Sequence, residues 1–204
     1  DGRVASAAGS SRPSRFTAAI QDVAEAFGRT WAVSVVLTRG GEIAAATAGD
    51  VVQAQAEAVR LWTELRAPRD PVACDLVVVG ADPAHARDLV QAHERLVAAS
   101  AWAKPGAPIV WMAPAPDGPG RASFLPWFEA GKLPRHLASL RERFHPHGLA
   151  AYAIRRLAKD HAVHVVSGVS PDILRPMGLH SFDDPEKAVA HALAHHDVRT
   201  CAIL

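Results

Sequence analysis

The stretch Leu76-Val77-Val78-Val79-Gly80 constrains this chain more than any other. A continuous apolar run closed by Gly, and then by Asp82-Pro83, predicts a short strand buried on both faces. Asp82 is suited to cap a helix, and Pro83 fits the first helical position, where a missing N–H costs nothing. Beyond it, Leu89, Ala92, Leu96, Ala99 and Ala103 recur at three- and four-residue spacings, which defines one apolar helical face. Lys104-Pro105-Gly106 ends that helix, and Ile109-Val110-Trp111-Met112 supplies a second buried strand. Strand, helix and strand in this order predict a parallel pair joined by a right-handed crossover. Such sheets bind ligands outside the carboxyl ends of their strands. That directs attention to residues 80–83 and to Asp117-Gly118-Pro119-Gly120, which lies just past the second strand.

The remainder of the chain extends this unit. Residues 1–14 read as a flexible lead-in or linker. A short helix is predicted over 16–27, with Phe16, Ile20, Val23 and Phe27 on one side. Two strand-like runs, 31–37 and 42–48, flank Thr38-Arg39-Gly40-Gly41, a hairpin signal. Asp50 caps a helix to about Arg66, with Val51, Ala54, Ala58, Leu61 and Leu65 inward. Short helices follow over 124–130, 135–144 and 149–159, then a strand over 163–167 and a helical turn over 171–176. A last helix opens at Asp184 and runs to about His195, before a final strand over 198–204. The expected fold is α/β: a three-layer sandwich over residues 15–204, forming one domain. Its Rossmann-like, mostly parallel sheet has about four strands, with the antiparallel hairpin at one edge.

Composition narrows the function. A net charge of +1 without a basic run gives no electrostatic case for nucleic acid. No apolar stretch approaches the roughly 20 residues of a membrane span, and the first 15 lack the apolar core of a signal peptide. Cys74 and Cys201 both fall in predicted strands and read as buried thiols in a reducing, cytoplasmic compartment. The chain begins at Asp1, as a piece of a longer product would. Cys201-Ala202-Ile203-Leu204 fits a prenylation box in form, but without an upstream polybasic run it reads as the tail of a strand.

Histidines offer metal-like spacings that need support. His191 and His195 stand one helical turn apart, with His196 adjacent. A histidine near a helix C-terminus is also favoured by the helix dipole, so the spacing by itself predicts no site. His145-Pro146-His147 reads as exposed loop, and His161 and His164 flank a strand entry without an evident partner. Residues 80–83 lack the second and third glycines of a dinucleotide fingerprint, which disfavours a dehydrogenase. Trp62, Trp102, Trp111 and Trp127 sit among apolar neighbours and read as packing residues.

Several stretches in order resemble one family. These are Ser34-Val35-Val36-Leu37, Ala48-Gly49-Asp50, a strand ending at Gly80, a helix bearing Gln91, and the Gly118-x-Gly120 loop followed by Phe124 and Trp127. Gly148-x-x-Ala151-Tyr152, Met177-Gly178-Leu179 and the acidic-start helix at Asp183-Asp184-Pro185-Glu186-Lys187-Ala188 continue the series. Together they resemble the C-terminal domain of the nickel-dependent lactate racemases, over residues 12–204. The resemblance implies an own N-terminal domain, absent from this sequence. That domain would carry a nickel-pincer nucleotide and the acid/base histidines, with a small 2-hydroxy acid bound in the cleft between domains. It also implies that the C-terminal domain closes this cleft, and that it is inactive alone.

The same resemblance selects the candidate site residues. The family's Tyr-Gln-x-x-Lys stretch reads Val90-Gln91-Ala92-His93-Glu94 here, so Gln91 is the retained substrate-facing position. Its Lys position holds Glu94, and its Trp position falls at about Leu149. A carboxylate facing a substrate carboxylate at about 4 Å costs about 4 kcal/mol at an effective dielectric of 20, which argues for a substrate other than lactate. The catalytic candidates are therefore Gln91, Glu94 and His85: Gln91 and Glu94 face substrate, and Glu94 and His85 are altered specificity or acid/base positions. The alternative is a non-catalytic binding module that has lost the site.

Overall fold

The computed structural model describes residues 15–28, 30–38, 40–66, 71–80, 86–129 and 131–204. The chain divides into two compact units, Asp1–Asp70 and Pro71–Leu204.

In the first unit, α1 (Arg15–Ala26) precedes the hairpin β1 (Trp31–Leu37) and β2 (Ile43–Asp50), and α2 (Val51–Arg66) packs on both strands. The glycine turn works as the sequence suggests. Gly41 takes a positive φ of 83°, while Thr38 receives the Glu42 amide on its hydroxyl and bonds the Gly41 N–H through its carbonyl. Asp50 caps α2 by accepting from the amides of Val52 and Gln53. The sequence reading puts the hairpin at one edge of the parallel sheet; instead it forms a two-stranded antiparallel sheet of its own. Trp31, Val33, Val35 and Leu37 alternate along β1 and are all exposed. Ile20, Val23 and Phe27 of the predicted inward face of α1 are likewise exposed, as is Leu65 of α2.

The second unit carries the parallel sheet. Its elements are β3 (Leu76–Gly80), α3 (Leu89–Ser100), β4 (Ile109–Met112), a 3₁₀ turn (Leu125–Phe128), α4 (Leu133–Glu142), α5 (Pro146–Asp160) and β5 (Val163–Val166). There follow α6 (Pro171–Leu174) with a 3₁₀ turn (Arg175–Met177), β6 (His180–Phe182), α7 (Pro185–His195) and β7 (Cys201–Ile203). Five strands run parallel in the order β6-β5-β4-β3-β7. One face buries Val77, Val79, Ile109, Trp111, Val163 and Val165 against α3 and α5. The other sets Leu76 and Val110 against Ala188 and Ala192 of α7. Helix, sheet and helix make the three expected layers.

Three details depart from expectation. Helix α3 starts at Leu89, not at Pro83; its cap is Asp88, whose Oδ1 accepts from the Gln91 amide at 2.8 Å. Asp82 and Pro83 lie outside the described residues. Strand β6 is only three residues long, too short to leave a period-2 signal. Cys74 is buried, but Cys201 is exposed on the edge strand β7.

Asp75 fixes that edge. Its Oδ2 accepts from the amides of Arg199 and Thr200 and from the Thr200 hydroxyl at 2.7 Å, and its Oδ1 pairs with Lys104 Nζ at 2.7 Å. The Lys104 ammonium first, and then the Thr200 hydroxyl, hold its carboxyl well below the ordinary range. No helix among the described residues is long and apolar enough to cross a membrane.

Candidate functional site

The loops leaving the carboxyl ends of β3, β4 and β5 are bonded to one another. Ala113 donates to the Val166 carbonyl at 2.9 Å, and Gly168 to that of Pro114 at 3.2 Å. The stronger tie joins the β3 and β4 loops. The Arg87 guanidinium grips both oxygens of Asp117, at 2.6 and 2.7 Å, while the Asp117 amide donates to the Arg87 carbonyl at 2.8 Å. Both side chains are half-exposed. The hydrogen bonds and charge of Arg87 lower the Asp117 carboxyl, and those of Asp117 raise Arg87. Asp117 stands in the Pro/Gly-rich loop read from sequence as ligand edge; its partner Arg87 gave no such signal.

Gly120 lets the same loop close onto α3. It has a φ of 123°, and a Cβ there would stand 2.7 Å from Val90 Cγ2. Val90 precedes Gln91, so the candidate residue borders this loop. Gln91 is exposed at the third position of α3 and already has local work, because its Oε1 accepts from the Arg87 amide at 3.0 Å. Together with Asp88 this forms a variant of the reciprocal N-terminal cap. The donor half of its carboxamide is the half that can meet a ligand. Glu94 is exposed one turn further along α3. Between them, His93 bonds the Val90 carbonyl through Nδ1. His85 lies outside the described residues.

A second polar group forms where the 3₁₀ turn, α4 and α5 meet. Ser123 Oγ lies 2.7 Å from His147 Nδ1, and His145 caps α5 by accepting from the His147 amide. The dipeptide read as loop is thus the first turn of α5, with Pro146 at its opening position. Deeper in, His136 is fully buried, stacked on Trp127 with ring centroids 5.0 Å apart and edge-on to Tyr152. Its Nε2–H donates to the Gly148 carbonyl at 2.9 Å and its Nδ1 accepts from Arg155, which also donates to the carbonyls of Trp127 and Gly131. Burial above all lowers its pKa, which suits the neutral ring this network requires.

These contacts explain several of the resemblance motifs as packing. A Cβ on Gly148 would stand 2.6 Å from Trp127 Cε2, so only Gly fits beneath that indole. Phe124 and Met177 are buried, and Gly178 turns the chain with a φ of 81°. Leu149, at the family's Trp position, is 43% exposed.

Among the described residues, no group of three His, Cys, Asp or Glu side chains is placed to hold a metal ion. His191 and His195 stack face to face at 4.0 Å, so the metal-like spacing presents ring planes to each other. Two concavities of the first unit are separate from this edge in sequence. One is lined by Val35, Leu37, Ala58 and Trp62, the other by Glu25, Thr30, Asp50 and Gln53.

No protein-family model matches the sequence, and no curated protein matches it. Solved structures do. Lactate racemase apoprotein from Thermoanaerobacterium thermosaccharolyticum superposes with a TM-score of 0.75 at 21% identity, over 85% of this chain and 43% of that one. A structural-genomics protein from Thermotoga maritima matches with a TM-score of 0.54 at 15% identity, over 83% of this chain and 46% of that one. The chain therefore spans less than half the length of either relative, and what it shares with lactate racemase is the fold.

Proposed function

We propose that this chain is the cleft-facing domain of a racemase or epimerase acting on a small 2-hydroxy acid. The observation that carries this reading is the likeness to lactate racemase apoprotein over 85% of the chain. The nickel-pincer nucleotide of this reading would be carried by a separate N-terminal domain, with this chain closing the cleft.

In this reading the substrate meets the sheet's carboxyl edge. Gln91 offers an amide donor to a substrate hydroxyl or carboxylate. Glu94 accepts from additional hydroxyls, which favours a hydroxylated or sugar-derived acid over lactate. Arg87 is committed to Asp117 and orients the two loops.

The test uses the complete product of the natural gene, assayed by chiral chromatography against a panel of 2-hydroxy acids, with nickel measured in parallel. Interconversion that falls at least about tenfold in Gln91→Ala, with substrate preference shifted by Glu94→Lys, supports the assignment. Interconversion unchanged in Gln91→Ala and Glu94→Ala removes these residues from the site. A nickel-free product without isomerase activity leaves the non-catalytic binding module.

A further inference from the structure

His164 has no role in the edge described above, yet it is the most unusual titratable group of the second unit. It sits within β5 at 1% exposure, and neither ring nitrogen has a hydrogen-bond partner. A buried polar group left in this state requires an explanation. Its neighbours are mostly histidines. His180, its partner on β6, has its ring centroid 5.4 Å away, and His191 of α7 lies at 5.1 Å. Phe182 closes a third side at 5.4 Å, and His195 stacks on His191. His191 Nδ1 is also buried without a partner, whereas His195 Nδ1 bonds the His191 carbonyl at 2.8 Å.

The other charges nearby point away from the cluster or are paired: Glu186 is exposed, and Asp184 caps α7. Lys187, one turn before His191, pairs with Asp183 at 3.0 Å, and Arg199 pairs with Asp197 at 3.0 Å. From β4, Val110 stands opposite His164, and α7 adds Ala188 and Ala192 to the same face. The charges that reach His164 among the described residues are those of His180, His191, His196 and His195. A metal ion would be one occupant for such a cluster, but no donor trio is placed for one. The remaining occupant is a proton.

We propose that the histidine cluster around His164 is an acid-triggered latch, packing α7 and β6 onto the sheet while the His164 and His191 rings are neutral and releasing them when those two rings are protonated. Burial first, then the neighbouring histidines, holds His164 down to about 4, and burial and His195 lower His191. Once released, these rings return towards the ordinary value of 6.5 and bind more protons than the packed form. Packing of α7 is therefore complete above that value and weakens progressively as pH falls from 6.5 towards 4. The weakness is local because, within Pro71–Leu204, α7 covers its face with two buried alanines, while α3 and α5 cover the other with a far larger core.

Amide hydrogen exchange on the full chain tests this, with rates corrected for intrinsic pH dependence, between pH 7.5 and 4.5. We expect residues 180–182 and 185–195 to lose about tenfold or more in protection while 89–100 and 146–160 keep theirs. His164→Leu should remove most of that acid response. Loss of protection in all elements at one midpoint, or a His164→Leu variant with the wild-type response, overturns the latch. Should that variant fail to fold, imidazole titration by NMR of the wild-type chain decides. A His164 ring that titrates near 6.5 in the packed state overturns the proposal, and one that titrates only as α7 loses protection supports it.

Discussion

Gly148 shows how a single absent methyl group organises the surroundings of the candidate site. Trp127 and Leu140 fill the space a Cβ would need, and His136 bonds the Gly148 carbonyl. Gly148→Ala should cost about 1–3 kcal/mol through overpacking, read as a shift in the urea midpoint. In the Trp127→Ala background the same change should cost much less, and the double-mutant cycle isolates the contact. Asp88→Ala should cost about 1 kcal/mol, because it removes the oxygen that caps α3. Gln91→Ala at the same helix start loses the bond from the Arg87 amide, so its stability must be measured before any fall in activity is assigned to substrate.

At the level of elements, Asp75 ties strand to strand. Its carboxylate is stabilised by Lys104, Thr200 and Arg199, so the folded form holds it ionised to lower pH than the unfolded chain does. That stability is present in full above the ordinary carboxylate range and is lost as pH falls through it and below. Asp75→Asn should flatten this acid limb, which equilibrium denaturation across pH 2–6 would show as a smaller loss of stability on acidification. The elements of the second unit were also the most legible in the sequence. Leu76–Gly80 and Ile109–Met112 declare themselves because buried parallel strands are continuous apolar runs. Asp184 and Pro185 announce α7 by cap chemistry. By contrast β6 is too short to show a period. The site was less legible still. Gln91 came from resemblance alone, and the Arg87–Asp117 clamp and the His164 cluster join residues that are distant in sequence but adjacent across the fold.

At the scale of the whole molecule, the parallel sheet has its proposed substrate edge and its fastening at opposite ends. The loops at the carboxyl edge are joined by Arg87 and Asp117, whereas Asp75 holds β7 at the entry end of β3. Arg87→Ala should thus loosen the 113–124 loop with little effect on global stability. An exposed pair of this kind is worth only about 0–1 kcal/mol, so limited proteolysis is the appropriate readout.

The position of β7 beside β3 has a further consequence, for the path by which the chain reaches this state. Asp75 meets Thr200 across 125 positions of sequence, and α7 must cross the sheet before that strand can dock. Until then β3 presents an open apolar edge, the kind of surface on which nascent chains aggregate. Docking of β7 on β3 is therefore the long-range closure of the sheet, and Asp75→Asn should slow refolding, read by stopped-flow fluorescence, if that closure sets the rate.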